Sequence, residues 1–274
     1  MPTKTNPIGI YDSGVGGLSV LREVRKQLPG EHLIYFGDQA KVPYGSRPIE
    51  ELQQLGEGVT RFLCEQRCKL VVIACNTASA AALKHLRALY PDLPIVGMEP
   101  AVKPAAEQTA TGKVGVLATP STFAGALYAS VIERFAHDVQ VFQHTCPGLV
   151  AQIEKGYLST AKTRRILEDA ILPMLDAGVD TLVMGCTHYP FVIPLIDKIT
   201  QSRARVIDPA PAIARQVRRV LEQRDLLNPT ALPGKINFYT SGDPIKFAQR
   251  IRQLIGDEVT PIALTWVENT LIRF

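Results

Sequence analysis

The sequence predicts an α/β protein of two pseudo-symmetric domains, each with a mainly parallel sheet, and an active site in the interdomain cleft. Three observations lead to that class. Short apolar runs alternate with amphipathic stretches along the whole chain, the pattern of strands joined by covering helices. After Glu99-Pro100 the alternation starts afresh. One local signature also occurs twice: Leu70-Val71-Val72-Ile73-Ala74-Cys75-Asn76-Thr77 returns as Thr181-Leu182-Val183-Met184-Gly185-Cys186-Thr187-His188. The spacing from Ile8 to Val114 nearly equals that from Cys75 to Cys186, as an ancient duplication with small loop changes would leave it.

In order, residues 8–11 read as a buried strand entering the turn Asp12-Ser13-Gly14-Val15-Gly16-Gly17. Residues 18–28 have helical periodicity, closed by Pro29-Gly30. A strand follows at 32–36, a Pro- and Gly-containing loop at 41–46 and an amphipathic helix at 48–67. The strand at 70–74 ends at Cys75, a helix covers 78–89, and 94–98 is a strand. In the second half, 114–118 is a strand, 123–135 a helix and 139–142 a strand. Helices over 148–156 and 160–177 lead to the strand at 181–184, and 189–200 is a helix. The rest reads as a strand at 205–207, a helix at 209–224, a strand at 236–239 and a helix at 244–255. Residues 261–274 are partly extended and carry the only tryptophan, Trp266. The expected division is 1–98 plus 208–274 for the first domain and 99–207 for the second.

Bulk composition narrows the function. With 274 residues, 46% hydrophobic and 20% charged, the chain is globular in type. A formal charge of +4 without basic blocks interleaved with aromatics gives no basis for direct nucleic-acid binding. The N-terminus lacks the apolar stretch of a signal peptide, and the apolar runs are far too short to span a membrane. Five cysteines, an odd number, point to a reducing compartment and so to the cytoplasm. No cysteine–histidine spacing suggests zinc.

Cys75 and Cys186 each stand at a predicted strand end, just before a helix. Partial positive charge at a helix N-terminus favours a thiolate, so both thiols are expected to be more acidic than the ordinary value of about 8.5. A lone cysteine there is commonly a core residue; two at equivalent points of two repeats argue for chemistry. Cys64, Cys68 and Cys146 are read as structural. The glycines of the Asp12 turn allow close backbone approach to a ligand, and the following helix offers N–H groups to an anion. Asp12 instead suits an ammonium group, so the turn fits an amino acid; an ordinary strand-to-helix turn is the alternative. Asn76, Thr77, Thr187 and His188 serve either as helix caps or as donors to a carboxylate. Thr119 and Thr122, at the counterpart of the Asp12 turn, can do likewise. Tyr44-Gly45 can present backbone N–H groups. His188 titrates near neutral pH, and Glu154 is an exposed helical acid unless the fold brings it inward.

These motifs resemble the cofactor-independent aspartate/glutamate racemase superfamily, and within it the glutamate racemases. GIYDSGVGGLSVL, YFGDQAKVPYG, VIACNTASA, VGVLATPST and MGCTHYPF occur in that order and cover nearly the whole chain. The resemblance implies interconversion of L- and D-glutamate without a cofactor, supplying D-glutamate for peptidoglycan. It implies that Cys75 and Cys186 are the catalytic acid–base pair, supported by Asp12, His188 and Glu154. It implies that Asp12, Ser13, Tyr44, Gly45, Asn76, Thr77, Thr119, Thr122, Thr187 and His188 bind the substrate, and that no metal takes part. A homodimer is expected. Some members bind DNA gyrase, which nothing in this sequence predicts. Others carry an N-terminal extension and are activated by a cell-wall precursor; with Ile8 so near the start, that activation is not expected. The alternatives are a related racemase acting on aspartate or another acid, a Cys–His hydrolase using Cys186 and His188, and a non-enzymatic binding protein.

Overall fold

A computed structural model describes residues 2–273. The first half runs β1 (Ile8–Asp12), α1 (Leu18–Gln27), β2 (Leu33–Gly37), a 3-10 turn (Tyr44–Ser46), α2 (Ile49–Glu65), β3 (Leu70–Ile73), α3 (Asn76–Leu89) and β4 (Ile95–Gly97). The second runs α4 (Val102–Gln108), β5 (Lys113–Ala118), α5 (Pro120–Ala124), α6 (Ala126–Phe135), β6 (Gln140–His144), α7 (Leu149–Glu154), α8 (Ala161–Asp176), β7 (Thr181–Gly185), a 3-10 turn (Tyr189–Val192), α9 (Ile193–Thr200) and β8 (Arg205–Ile207). The chain closes with α10 (Ala210–Gln223), β9 (Ile236–Thr240), α11 (Pro244–Ile255), β10 (Ile262–Ala263), β11 (Thr265–Val267) and β12 (Thr270–Ile272).

Two parallel sheets result. Their strand orders are β10-β9-β2-β1-β3-β4 and β6-β5-β7-β8, with β11 and β12 forming a separate antiparallel hairpin. The segment β2-β1-β3-β4 corresponds strand for strand to β6-β5-β7-β8, so the repeat read in the sequence is a repeat of topology. Every residue of β1, β2, β3 and β7 is buried, as expected of central strands covered on both faces. One apolar core spans both halves, from Ile8 and Leu18 through Ala214 and Val217 to Leu182 and Ile196. Two smaller cores cover the outer faces, one around Phe36, Phe62 and Val71, the other around Val116 and Val131. Complete burial of each such Val, Leu, Ile or Phe side chain is worth about 1.5–3 kcal/mol.

In each sheet the chain leaves the first strand to one side and returns to the other. The strand order therefore reverses between β1 and β3, and between β5 and β7, where open α/β sheets bind ligands at their carboxyl ends. Asp12-Ser13 follow β1 and Cys75 follows β3; Thr119 follows β5 and Cys186 follows β7.

Some elements differ from expectation. The single helix expected over 123–135 is broken at Gly125, where the backbone is extended (φ −74°, ψ 139°). A Cβ there would lie 2.8 Å from Cβ of Ala80, so the break lets the chain pack tightly on α3. The helix expected over 189–200 is a 3-10 turn followed by α9; the break falls at Val192 (φ −106°, ψ 7°), and Pro194 sits in the first turn of α9, where its missing N–H costs nothing. The loop expected at 41–46 contains the 3-10 turn at Tyr44. Helix α4 was not anticipated: its run VKPAAEQ is short, with proline in the first turn. Among the described residues no helix is long and apolar enough to cross a membrane.

Candidate active site

A cavity of about 200 Å³ opens between the two sheets at their carboxyl ends. That is below the roughly 300–1,000 Å³ of sites for drug-sized ligands, and it suits a small metabolite. Cys75 and Cys186 both line it, each only 6% exposed. Ser13, Tyr44, Gly45, Asn76 and Thr77 come to it from the first half, and Thr119, Thr187 and His188 from the second. Asp12, Thr122 and Glu154 stand behind this lining.

Cys75 is itself the N-cap of α3. Its Sγ accepts from Ala78 N–H at 3.5 Å and lies 3.9 Å from Ser13 Oγ. The cap reading of Asn76 and Thr77 is thereby corrected: they occupy the first helical turn, and their side chains are free for other work. Among the described residues, neither the amide nitrogen nor the amide oxygen of buried Asn76 has a hydrogen-bond partner. Thr77 Oγ1 lies 2.9 Å from Thr119 Oγ1, which lies 2.9 Å from Thr122 Oγ1. That hydroxyl chain bridges the two halves. A second bridge runs from Ser121 Oγ to the carbonyl of Gly45 at 2.6 Å.

Around Cys186 the geometry is a relay. His188 Nδ1 faces Cys186 Sγ at 3.7 Å, and His188 Nε2 lies 2.6 Å from Glu154 Oε1. Glu154 Oε1 also accepts from Val15 N–H at 2.9 Å, and Oε2 from Gln39 Nε2 at 2.9 Å. Burial alone would lower the His188 pKa, but its bonds to Cys186 and Glu154 outweigh that and hold it well above the ordinary value. Burial would raise Glu154, and its bonds from His188, Val15 and Gln39 hold it below the ordinary value instead. The two form a buried ion pair. Glu154, expected on an exposed helical face, is turned inward against the first half.

Two expectations for the Asp12 turn change. The N–H offered at Val15 near the start of α1 is taken by Glu154, so the anion at that turn is the protein's own carboxylate. The glycines make room for the opposite half. A Cβ at Gly14 would lie 2.0 Å from Glu154 Oε1, and one at Gly16 would lie 2.5 Å from His188 Nδ1 and 2.6 Å from Thr187 Oγ1. Asp12 is fully buried, its oxygens accepting from Gly14 N–H at 2.9 Å and Thr187 Oγ1 at 3.0 Å. Burial raises its carboxyl pKa.

The expected acidity of the thiols is corrected for Cys75. Burial and the charge of Asp12 push it up to about 12, and the contact with Ala78 N–H does not compensate. Cys146, read as structural, is packed in the apolar core and also lines the cavity with Thr145, Pro147, Gly148, Val150 and Tyr189. The duplication carried the signal. The loop after β6 is the topological counterpart of the loop after β2, which holds Tyr44-Gly45. Cys64 and Cys68 lie away from the cavity on and just after α2, with Cys68 against Gly9.

Paired thiols at equivalent strand ends, facing one small cavity from two related α/β halves, define a class of isomerase. The sequence pattern of the Asp/Glu/Hydantoin racemase family matches residues 12–217, and the chain belongs to that family of enzymes. Within it, the chain is similar over nearly all its length to glutamate racemases. It is 50% identical over 249 residues to the glutamate racemase of Roseiflexus sp. RS-1, covering 90% of this chain and 92% of that one. The glutamate racemase isoform RacE1 of Bacillus anthracis superposes with a TM-score of 0.88 at 32% identity, covering 97% of this chain and 99% of that one. The Francisella tularensis glutamate racemase, solved in complex with D-glutamate, gives 0.82 at 30% identity, covering 94% and 96%.

Proposed function

We propose that this enzyme interconverts L- and D-glutamate by a two-base reaction in which Cys75 and Cys186 act from opposite faces of the α-carbon. One observation carries the reading: the two thiols end equivalent strands of two related sheets and line the same cavity. Inversion needs a base on one face and an acid on the other. One thiolate takes the α-proton, and the C–H electron pair stays on the α-carbon, delocalised into the α-carboxylate. The opposite thiol then gives its proton to the other face. The sulfurs end with exchanged protonation states, and the reverse reaction exchanges them back. One proton is shared between two coupled sulfurs. After burial and Asp12, Cys186 is a further cause that raises the Cys75 pKa, which fits such coupling.

Position in the cavity supports the following residue roles. Asn76, with its unpartnered amide, and the hydroxyls of Thr77 and Thr187 stabilise charge developing on the α-carboxylate. Ser13, Tyr44, Gly45 and Thr119 bind the remaining polar groups, with Thr122 behind Thr119. His188, held protonated by Glu154, supports Cys186. Asp12 acts on Cys75 through its charge and on the substrate ammonium, through Thr187 or directly. The reaction uses the protein's own thiols as acid and base and calls for no PLP, metal ion or nucleotide. The similarity to a racemase solved with D-glutamate supports the choice of substrate.

On this reading the enzyme works in the cytoplasm as a homodimer and supplies D-glutamate for peptidoglycan. Its domains are 1–98 with 208–274, and 99–207; strands β9 and β10 extending the first sheet support that division. The deciding experiment is circular-dichroism racemisation of purified protein with L-glutamate and L-aspartate and no added cofactor. Loss of optical rotation with glutamate alone is expected. Aspartate turning over in its place, or neither, overturns the assignment.

A further inference from the structure

The only tryptophan lies outside the cavity, yet one buried carboxylate ties it to the cavity wall. Asp38, just after β2, is fully buried. It accepts from three side chains: the phenol of Tyr44 at 2.6 Å, the hydroxyl of Ser241 at 2.5 Å and the indole N–H of Trp266 at 2.7 Å. Tyr44 is in the cavity wall, Ser241 follows β9, and Trp266 sits on β11 of the C-terminal hairpin. The carboxylate thus joins three segments remote in sequence. The indole ring is itself fixed against α2: a Cβ at Gly58 would lie 2.6 Å from its Cζ3. Ser241 Oγ also accepts from Ala40 N–H at 3.0 Å, fastening the start of the loop that leads to Tyr44.

We propose that Trp266 and Ser241 are positioning residues for the Tyr44–Gly45 turn, and that through Asp38 the C-terminal hairpin sets where this turn stands against glutamate. The inference rests on the cavity being a glutamate site. The phenol hydroxyl of Tyr44 is directed at Asp38, so what the turn presents to the cavity is its backbone and ring edge. The turn is a three-residue 3-10 segment, a length with little stability of its own. Its place therefore depends on tertiary ties. One comes from the second half through Ser121, and Asp38 supplies another from the first. A carboxylate gripped by three donors has a single orientation. Ser241 and Trp266 share Oδ1 and Tyr44 takes Oδ2, so losing either Oδ1 donor loosens the carboxylate, and the Tyr44 phenol shifts with it.

Two conservative variants test this. Trp266→Phe keeps an aromatic ring over Gly58 and removes the N–H; Ser241→Ala removes the hydroxyl at a partly exposed site. Each should raise KM for both glutamate enantiomers about fivefold or more while kcat stays within about twofold, the signature of lost binding that ground state and transition state share equally. The double variant should exceed either single one. A merely structural role would lower thermal stability and the active fraction, leaving KM in place. Native KM in both variants overturns the proposal. The lone indole gives a second readout. Its emission should change as D-glutamate saturates the wild-type enzyme, and that change should vanish in Tyr44→Phe, which breaks the link at the other end. Emission indifferent to saturating D-glutamate counts against the proposal. A wild-type enzyme that fails to racemise glutamate overturns the glutamate reading, and this inference with it.

Discussion

His188 and Glu154 form an ion pair of 2.6 Å, shut between the halves and reinforced by Val15 N–H and Gln39. It joins the second half to the first through the Asp12 turn, and its pH dependence can be worked out. His188 is raised well above its ordinary value, so its contribution to stability is complete below the unfolded-state pKa and is lost as pH rises through the folded one. Glu154 is lowered, so its contribution is complete above its unfolded pKa and is lost as pH falls through the folded one. The pair is thus intact across neutral pH. Glu154→Gln should destabilise the protein by roughly 3 kcal/mol at pH 7, since it leaves a buried imidazolium unpaired. Urea unfolding of wild type and variant from pH 5 to 10 should show the gap closing only at the alkaline end. A gap constant to pH 10 would contradict the assignment of charge.

The thiols make a separate prediction. Cys75→Ala and Cys186→Ala should each lower racemisation by about a thousandfold, the scale on which a positioned acid or base contributes. Neither substitution fills or empties much volume, so far-ultraviolet circular dichroism should remain native. In heavy water the wild-type product should carry deuterium at the α-carbon. Full racemisation by Cys75→Ala would rule out a two-base reaction.

The raised pKa of Cys75 has a consequence for labelling. With its thiol pushed up to about 12 by burial and by Asp12, Cys75 in the free enzyme should alkylate slowly with iodoacetamide at pH 8. Asp12→Asn removes the second cause and leaves the first. The rate at Cys75, followed by peptide mass spectrometry, should rise several-fold, roughly the effect of a few tenths of a pKa unit or more. An unchanged rate would mean that Asp12 carries no charge that Cys75 feels.

How much of this was legible in the sequence depended on how local each signal was. Strands and helices that alternate over whole runs, such as Leu70–Ile73 followed by Asn76–Leu89, carry their own period and were placed to within a few residues. The repeated cysteine signature located both thiols. Features created by the meeting of the two halves were harder to see. Gly14 and Gly16 look like ligand-contacting glycines, and only the folded chain shows that Glu154 and His188 occupy that space. Nothing in the run Ile153-Glu154-Lys155 distinguishes an inward carboxylate from a solvated one. Cys146 was legible in principle, by carrying the duplication through to the loop after β6. The carboxylate of Asp38 was not, since its donors Tyr44, Ser241 and Trp266 are brought together only by sheet order.

The close approach at Gly16 can be tested directly. Gly16→Ala places a methyl group 2.5 Å from His188 Nδ1 and 2.6 Å from Thr187 Oγ1, so the two halves must separate or the imidazole must turn. Either response moves His188 from Cys186. Displacement on the order of 1 Å at a reacting centre can cost about a hundredfold, and kcat/KM should fall by about that much. The three atoms nearest the added methyl belong to His188 and Thr187 and not to apolar core side chains, so the melting temperature should drop by only a few degrees, roughly the effect of 1 kcal/mol in a chain of this size. Activity close to wild type would show that the halves stand farther apart in solution.

Asn76 separates stability from function most sharply. The residue is 3% exposed, lines the cavity, and among the described residues has no partner for either polar side-chain atom. Burying an unsatisfied amide costs about 1–3 kcal/mol, a penalty that substrate binding relieves if Asn76 bonds the α-carboxylate. Replacing it with alanine removes the penalty and improves the helix propensity of the first turn of α3. Asn76→Ala should therefore melt at the same temperature as wild type or a few degrees higher. Its kcat/KM should fall by about ten- to a hundredfold, with kcat sharing the loss because the bond strengthens as charge develops. Melting by differential scanning calorimetry and glutamate kinetics on one preparation would check both halves. Loss of stability together with activity would show that the amide serves the fold rather than the reaction.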